Sequence, residues 1–92
     1  MQQENAQIIG VKALGWIAAQ DSVFEAFLDT TGATVEDLRQ QAAESGFLAQ
    51  VLDFVMLQDE WVLGFAADSG LGPEQVIAAR TVLGGGDMMN WT

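Results

Sequence analysis

Carboxylates are almost the only side chains in this 92-residue sequence that could do chemistry. The chain has no His, Cys or Tyr, so the usual general bases and a thiol nucleophile are missing. Glu25 and Asp29 have a spacing at which two carboxylates on one helix could share a proton or a divalent cation. The same spacing is typical of two solvated acids on an outer face, which is the interpretation we favour. We therefore predict no catalytic, cofactor-binding or metal-binding residues.

Three further groups invite a chemical interpretation, and each has a structural one. Asp53 lies in the most apolar stretch of the chain, and we expect it on the narrow polar side of an otherwise buried helix. Asp59 and Glu60 are expected at a helix N-terminus, where negative charge complements the helix dipole. Residues 84–86 are all glycine, but no predicted strand precedes them and no Gly-Lys-Ser/Thr is present, so they are not a phosphate-binding loop.

The C-terminal tail contains the candidate partner contacts of the chain. Met88, Met89 and Trp91 follow the glycines, which would let the tail reach a groove on this chain or on a partner. The alternative is a frayed terminus without such a role. Trp16 and Trp61, by contrast, lie on apolar helix faces and are expected in the core, where a buried indole N–H would need a hydrogen-bond acceptor.

A helical unit that occurs twice in the chain carries these residues. When residues 8–42 are aligned with residues 46–80, identical residues are spread along the whole unit. Such a repeat indicates that both halves share one order of elements. The identical pairs are Leu14 and Leu52, Gln20 and Gln58, Asp21 and Asp59, Phe27 and Phe65, Gly32 and Gly70, and Glu36 and Glu74.

Each repeat is predicted to contain three helices. The first helices, at about 5–20 and 46–58, are apolar on most faces and should pack together as the central layer. Gly10 and Gly15 would allow their close approach. In the second helices and the first repeat's third helix, the residues expected to face inward are Val23, Phe27 and Leu28, Trp61, Val62 and Phe65, and Val35, Leu38 and Ala42.

The sequence also predicts where the second and third helices begin and end. Both second helices should end at a glycine, Gly32 or Gly70, because the residue after a helix often needs a positive φ that only glycine adopts without strain. The second helix of the first repeat should start at Asp21 or Ser22, where Ser22 and Glu25 have capping-box spacing. The other predicted start signals are Thr34 with Asp37, and Gly72 followed by Pro73.

These elements predict a single all-α domain over residues 1–92. We expect a compact bundle of about six short helices arranged as two pseudo-symmetric three-helix repeats. Repeat one would span about 7–44 and repeat two about 45–83, and residues 84–92 would form a flexible tail. No stretch alternates apolar and polar residues over five positions, so no strand is expected.

Composition limits the range of partners. The chain has 13 acidic residues against three basic ones, and its formal charge is −10. Three basic side chains cannot follow a phosphate backbone, so we expect no binding to nucleic acid or to an anionic membrane. A strongly acidic surface is attracted to basic proteins. Half of the residues are hydrophobic, which should leave apolar surface for a partner or for a second copy in a homodimer.

The sequence also carries a signal about compartment. Residues 1–7 lack the basic and apolar regions of a signal peptide, and the uncharged apolar run 13–19 is too short to span a bilayer. Without cysteine there is no disulfide framework. We therefore expect a cytoplasmic protein.

Short motifs in both repeats are shared with a known family, and they are Phe27-Leu28, Thr31-Gly32, Glu36-Asp37-Leu38-Arg39, Val51-Leu52-Asp53-Phe54, Asp59-Glu60, Gly70-Leu71, Pro73-Glu74 and Ala79-Arg80. On these motifs the chain resembles the bacterial, mostly alphaproteobacterial, domain of unknown function 3572 over roughly residues 8–83. Where the family pattern has Leu and Pro after the first Thr-Gly, this chain has Ala33 and Val35. The resemblance implies a compact, cytoplasmic, all-helical protein with no established activity, and a bacterial signalling protein as partner. It nominates no active site.

The function that we predict is a non-catalytic protein-interaction or adaptor module, whose partner would be basic or a bacterial signalling protein. The alternative is a carrier or sensor of a small apolar ligand held between the repeats, which the Phe, Met and Trp content would suit equally well. A closed core with an exposed apolar patch would favour interaction, whereas an enclosed cavity would favour a ligand.

The charge balance yields a first testable prediction. The protein should bind neither DNA, RNA nor anionic vesicles at about 150 mM salt, where exposed charges interact only over short distances. Fluorescence anisotropy with labelled oligonucleotides and co-sedimentation with phosphatidylserine vesicles measure this directly. A saturable micromolar complex with any of the three would contradict the prediction.

Overall fold

Short connections join six α-helices along the chain, and no residue between 1 and 84 lies in a β-strand. The computed structural model describes residues 1–84. Within this range the predicted all-α fold of six short helices is confirmed. The helices are α1 (Gln3–Ala18), α2 (Asp21–Thr31), α3 (Val35–Gln41), α4 (Ser45–Val55), α5 (Asp59–Ser69) and α6 (Pro73–Leu83).

Glycines end the second helix of each half. Gly32 after α2 and Gly70 after α5 both have a φ of +71°, in the left-handed region that other residues rarely adopt. The N–H of Gly32 donates to the carbonyl of Leu28 at 2.9 Å, which is a simple αL ending. After α5, the N–H of Leu71 donates to the carbonyl of Ala66 at 2.8 Å, the longer bond of a Schellman motif. The prediction of two positive-φ glycines is confirmed.

Two of the three predicted start signals are confirmed. The Thr34 hydroxyl accepts a hydrogen bond from the Asp37 N–H at 3.2 Å, and the Asp37 carboxylate accepts one from the Thr34 N–H at 3.1 Å. This reciprocal pair is a capping box. Gly72 is the N-cap of α6 and Pro73 its first residue. Helix α2 begins at Asp21, one of its two predicted starts, but the predicted Ser22 cap is wrong because Ser22 lies inside the helix.

Gln20 takes the N-cap position of α2 that the sequence assigned to Ser22. Its carbonyl accepts from the N–H of Phe24 at 2.8 Å, and its side-chain amide donates to the carbonyl of Trp16 at 3.1 Å. Only two residues separate α1 from α2, so the chain must turn at once. The new helix therefore starts before Ser22 can act as its cap.

Helix α4 is the centre of the core. Seven of its 11 residues are buried, and the rings of Phe47 and Phe54 contact Phe27 of α2 edge to face, with centroids 6.3 and 5.2 Å apart. The largest side chains that are fully buried are Phe27, Phe65, Ile17, Leu48, Leu52, Val51, Val55 and Val76.

Three helices, rather than the predicted two, form the central layer. Helices α1 and α4 pack together as expected, and α6 packs against both of them. Its sequence counterpart α3 is shorter and more polar and buries only Leu38. Helix order and glycine endings therefore recur in the two halves, but the packing partners of the third helices differ. The superposition of residues 8–42 on 46–80 stays a prediction.

Gly10 is the point at which the three central helices meet. A Cβ at this residue would lie 2.9 Å from the Cβ of Leu48 in α4 and 3.3 Å from the Cδ1 of Leu83 in α6. The predicted close approach at Gly10 is confirmed. The same prediction for Gly15 is wrong, because this residue is exposed and no atom lies within 4 Å of the place of its missing Cβ.

Alanine at these two glycines should change stability in opposite directions. Gly15→Ala should raise the free energy of unfolding by up to about 1 kcal/mol, because it adds helix propensity without a clash. Gly10→Ala gains the same propensity, but overpacking against Leu48 should lower the free energy of unfolding by about 1–2 kcal/mol net. Urea unfolding followed by circular dichroism measures both changes. Stabilisation by both variants would contradict the close α1–α4 contact.

Candidate functional site

The acidic candidates lie on the surface. Glu25 and Asp29 are both exposed on the outer face of α2, as expected of solvated acids. No group of three or more acidic residues within residues 1–84 is placed to hold a metal ion. The first turn of α5 carries Asp59 and Glu60, as predicted. None of these groups forms a chemically distinctive site.

Asp53 lies on the narrow polar side of α4, as predicted, and its role is structural. Its carboxylate accepts two hydrogen bonds from Arg80 of α6, at 2.6 Å from Nε and 3.1 Å from Nη2. This two-pronged geometry fixes the orientation of α6 on α4. Both side chains are solvated, so the ion pair contributes at most about 1 kcal/mol to stability. The sequence did not indicate this pairing, because the two residues lie in different helices.

The tryptophans of the described chain are half-buried rather than fully in the core. The indole N–H of Trp16 donates to the Asp68 carboxylate at 2.8 Å, and its ring lies 6.0 Å from that of Phe65. Trp61 stacks on Phe54 at a centroid distance of 4.8 Å. Both rings pack at the edge of the core, and their contacts are structural.

One side of helix α1 is buried and the other is exposed. Ala6, Ile9, Gly10, Ala13 and Ile17 are buried, whereas Ile8 and Val11 are 54% and 48% exposed. Apolar residues on most faces of this helix predicted a fully central position, and that prediction is wrong for its outer side. A surface groove of about 450 Å³ follows this side, which we call the α1 groove. Its lining residues are Glu4, Gln7, Ile8, Val11, Lys12, Ala43 and Leu48.

A shallow apolar depression adjoins the α1 groove at Val11 and lies between α1, α2 and α3. Arg39 lines this depression as Lys12 lines the groove, so two of the three basic residues of the chain border the same outer side of α1. Val35, predicted to face inward, also lines the depression and is largely exposed. The cause is the shortness of α3, which cannot bury more than Leu38.

A second apolar surface differs from the first in its charges, because an acidic residue lines it and no basic residue does. Leu63 of α5 and Ile77 of α6 are 58% and 50% exposed and line one groove of about 460 Å³, which we call the α5–α6 groove. Its lining residues are Met56, Asp59, Val62, Leu63, Pro73 and Ile77. The only charged side chain among them is a carboxylate, and none is basic.

Sequence reasoning overlooked the exposed residues of this groove. Trp61, Val62 and Phe65 lie on the inward side of α5, and Leu63 does not share their helical spacing. This difference in spacing could have predicted that Leu63 is exposed. The predicted partner contacts Met88, Met89 and Trp91 lie outside the described residues 1–84. They stay predictions.

None of the six helices within residues 1–84 combines the length and hydropathy that a bilayer crossing requires. The fold, the α1 groove and the α5–α6 groove define a small all-α protein with exposed apolar surfaces. The family model of the protein of unknown function DUF3572 matches residues 3–86. The chain therefore belongs to this family. No curated protein and no solved structure matches it.

Proposed function

We propose that this protein is a cytoplasmic, non-catalytic interaction module that binds a basic, amphipathic segment of a partner protein in its α5–α6 groove. The observation that carries the proposal is the pair of exposed aliphatic side chains, Leu63 and Ile77, set beside carboxylates. An adaptor of this kind needs no catalytic residues, and the sequence contains no His, Cys or Tyr.

The apolar part of the α5–α6 groove suits two anchoring side chains of a partner. Leu63 and Ile77 come from neighbouring helices, and the half-buried Met56 and Val62 line the groove between these helices. Methionine adapts its shape to irregular apolar surfaces. Helical partners commonly dock into such grooves through two or three apolar residues on one face.

The acidic residues around the groove favour basic residues on either side of the partner's apolar anchors. Asp59 lines the groove, and Glu60 and Glu74 lie in the first turns of the two helices that form it. Opposite charge at the rim of an interface raises the association rate and suppresses wrong partners. The net charge of −10 acts in the same direction at long range. Lysine or arginine beside the apolar anchors is therefore the favoured partner chemistry.

A carrier of a small apolar ligand is supported less well. Ligand sites usually enclose most of the surface of their ligand. The α1 groove and the α5–α6 groove both open to solvent, and at Gly10 the space beside α1 is filled by Leu48 and Leu83. The homodimer predicted from the sequence calls for a different surface, because two acidic α5–α6 grooves would repel each other.

A designed peptide tests the α5–α6 groove without knowledge of the natural partner. The probe is an amphipathic helix of about 15 residues, roughly four turns, with leucines on one face and lysines beside them. Two-dimensional NMR should show saturable shifts at Leu63 and Ile77, and binding should weaken as salt rises from about 50 to about 500 mM. A peptide with glutamate in place of lysine should not bind.

Matched variants separate groove binding from general attraction to an acidic protein. Leu63→Gln with Ile77→Gln leaves the charge unchanged and should weaken peptide binding about tenfold or more, because two apolar anchors are lost. Leu57→Gln is the control, since Leu57 is 64% exposed but does not line the groove. Equal binding to the double variant and the control would overturn the proposal.

A further inference from the structure

We infer that the α1 groove is the interface of a symmetric homodimer, in which the α1 helices of two copies lie antiparallel about a two-fold axis at Ile8. The groove carries an exposed apolar centre between one acid and one base. This inference concerns a different surface from the α5–α6 groove and does not depend on it.

The centre of the proposed interface is the aliphatic pair Ile8 and Val11. They lie one turn apart on α1 and are both about half exposed, although Leu48 beside them is fully buried.

The charges of the α1 groove are complementary to those of a second α1 groove that runs in the opposite direction. Glu4, Ile8 and Lys12 follow one another at intervals of four residues, so they lie on one side of the helix. Glu4 and Lys12 are about 12 Å apart along the axis, too far to pair with each other. Within residues 1–84 neither side chain forms an ion pair.

An antiparallel second copy brings each charge opposite its complement. With the two-fold axis at Ile8, Glu4 of one copy lies opposite Lys12 of the other, and the reverse pair forms at the same time. An isologous interface requires such self-complementarity, and C2 dimers are the commonest closed assemblies. The two Ile8 side chains would meet at the axis and be removed from water.

Other occupants fit the charges less well. A purely acidic segment would face Glu4 and the net charge of −10, and a purely basic segment would face Lys12. The segment 85–92 lies outside the described residues, and its only charged side chain is Asp87. This carboxylate could pair with Lys12 but would leave Glu4 without a partner.

Charge reversal in the full chain tests the register. Glu4→Lys changes the net charge from −10 to −8, and Lys12→Glu changes it to −12. Each single variant should weaken dimerisation about tenfold or more, because both intermolecular pairs become repulsive. The double variant E4K/K12E returns to −10 and should dimerise like the natural sequence. Sedimentation equilibrium up to about 200 µM at about 150 mM salt measures the dissociation constants.

The Glu4→Lys variant gives the sharpest contrast. If repulsion between two acidic copies alone controlled association, this variant would dimerise more tightly, because its net charge is smaller. The α1 interface requires the opposite. Circular dichroism of each variant verifies that the helices are intact, since both side chains are exposed and lie outside the core.

A single cysteine provides an independent distance measurement, because the natural chain has none. Ile8→Cys would place two thiols at the two-fold axis, and mild oxidation should produce a disulfide-linked dimer. Leu63→Cys is the matched control, since Leu63 is equally exposed on a different surface and should give far less cross-linked product.

Four results would overturn the inference. The full chain could remain monomeric at about 200 µM, where even a weak interface would be occupied. The dimer could form with charge reversal having no effect or with equal cross-linking at positions 8 and 63. Association could also disappear in a chain that ends at Gly84, which would assign the contact to residues 85–92. Dimerisation of that shorter chain with the same response to charge reversal would support the α1 interface.

Discussion

The contact of Gly10 with Leu48 and Leu83 is the constraint on which the rest of this structure depends. Three helices meet at a residue without a side chain, and a Cβ there would lie 2.9 Å from that of Leu48. Helix α1 must therefore turn the side that carries Gly10 towards α4 and α6, and Ala6, Ile9 and Ala13 are buried with it. Ile8 and Val11 lie outside this buried side and are about half exposed. The position of Gly10 therefore determines both the tight core contact and the exposed apolar groove.

The sequence was sufficient to predict those features that depend only on residues close together in the chain. The glycine endings at Gly32 and Gly70 and the capping box at Thr34 each depend on a few consecutive positions, and all were predicted correctly. Helix α2 starts at Asp21, one of the two predicted positions, and the Ser22 cap failed because Gln20 takes the N-cap position after the two-residue connection from α1. Local chemistry fixes helix ends unless the path of the chain overrides it.

The surfaces were harder to predict, because exposure depends on which helices pack together. The repeat predicted equivalent third helices, but α6 packs against both α1 and α4 whereas α3 remains at the edge. The repeat itself does not distinguish these positions, although α6 is longer and less polar than α3. The exposed Ile8 and Leu63 follow from that arrangement. Periodicity identifies apolar residues but does not show which of them another helix will cover.

The peripheral position of α3 also affects how the native protein fluctuates. Its seven residues are anchored by Leu38 and by the Thr34 capping box, whereas α4 is enclosed on nearly every side. Local unfolding of α3 breaks few contacts, so its amide hydrogens should exchange with solvent well before those of the buried helix α4. Each such opening would briefly uncover Leu14 and Phe24, which lie with Leu38 along the depression beside α1. The domain would thus expose more apolar surface at this edge for a small fraction of the time, without any loss of its central layer.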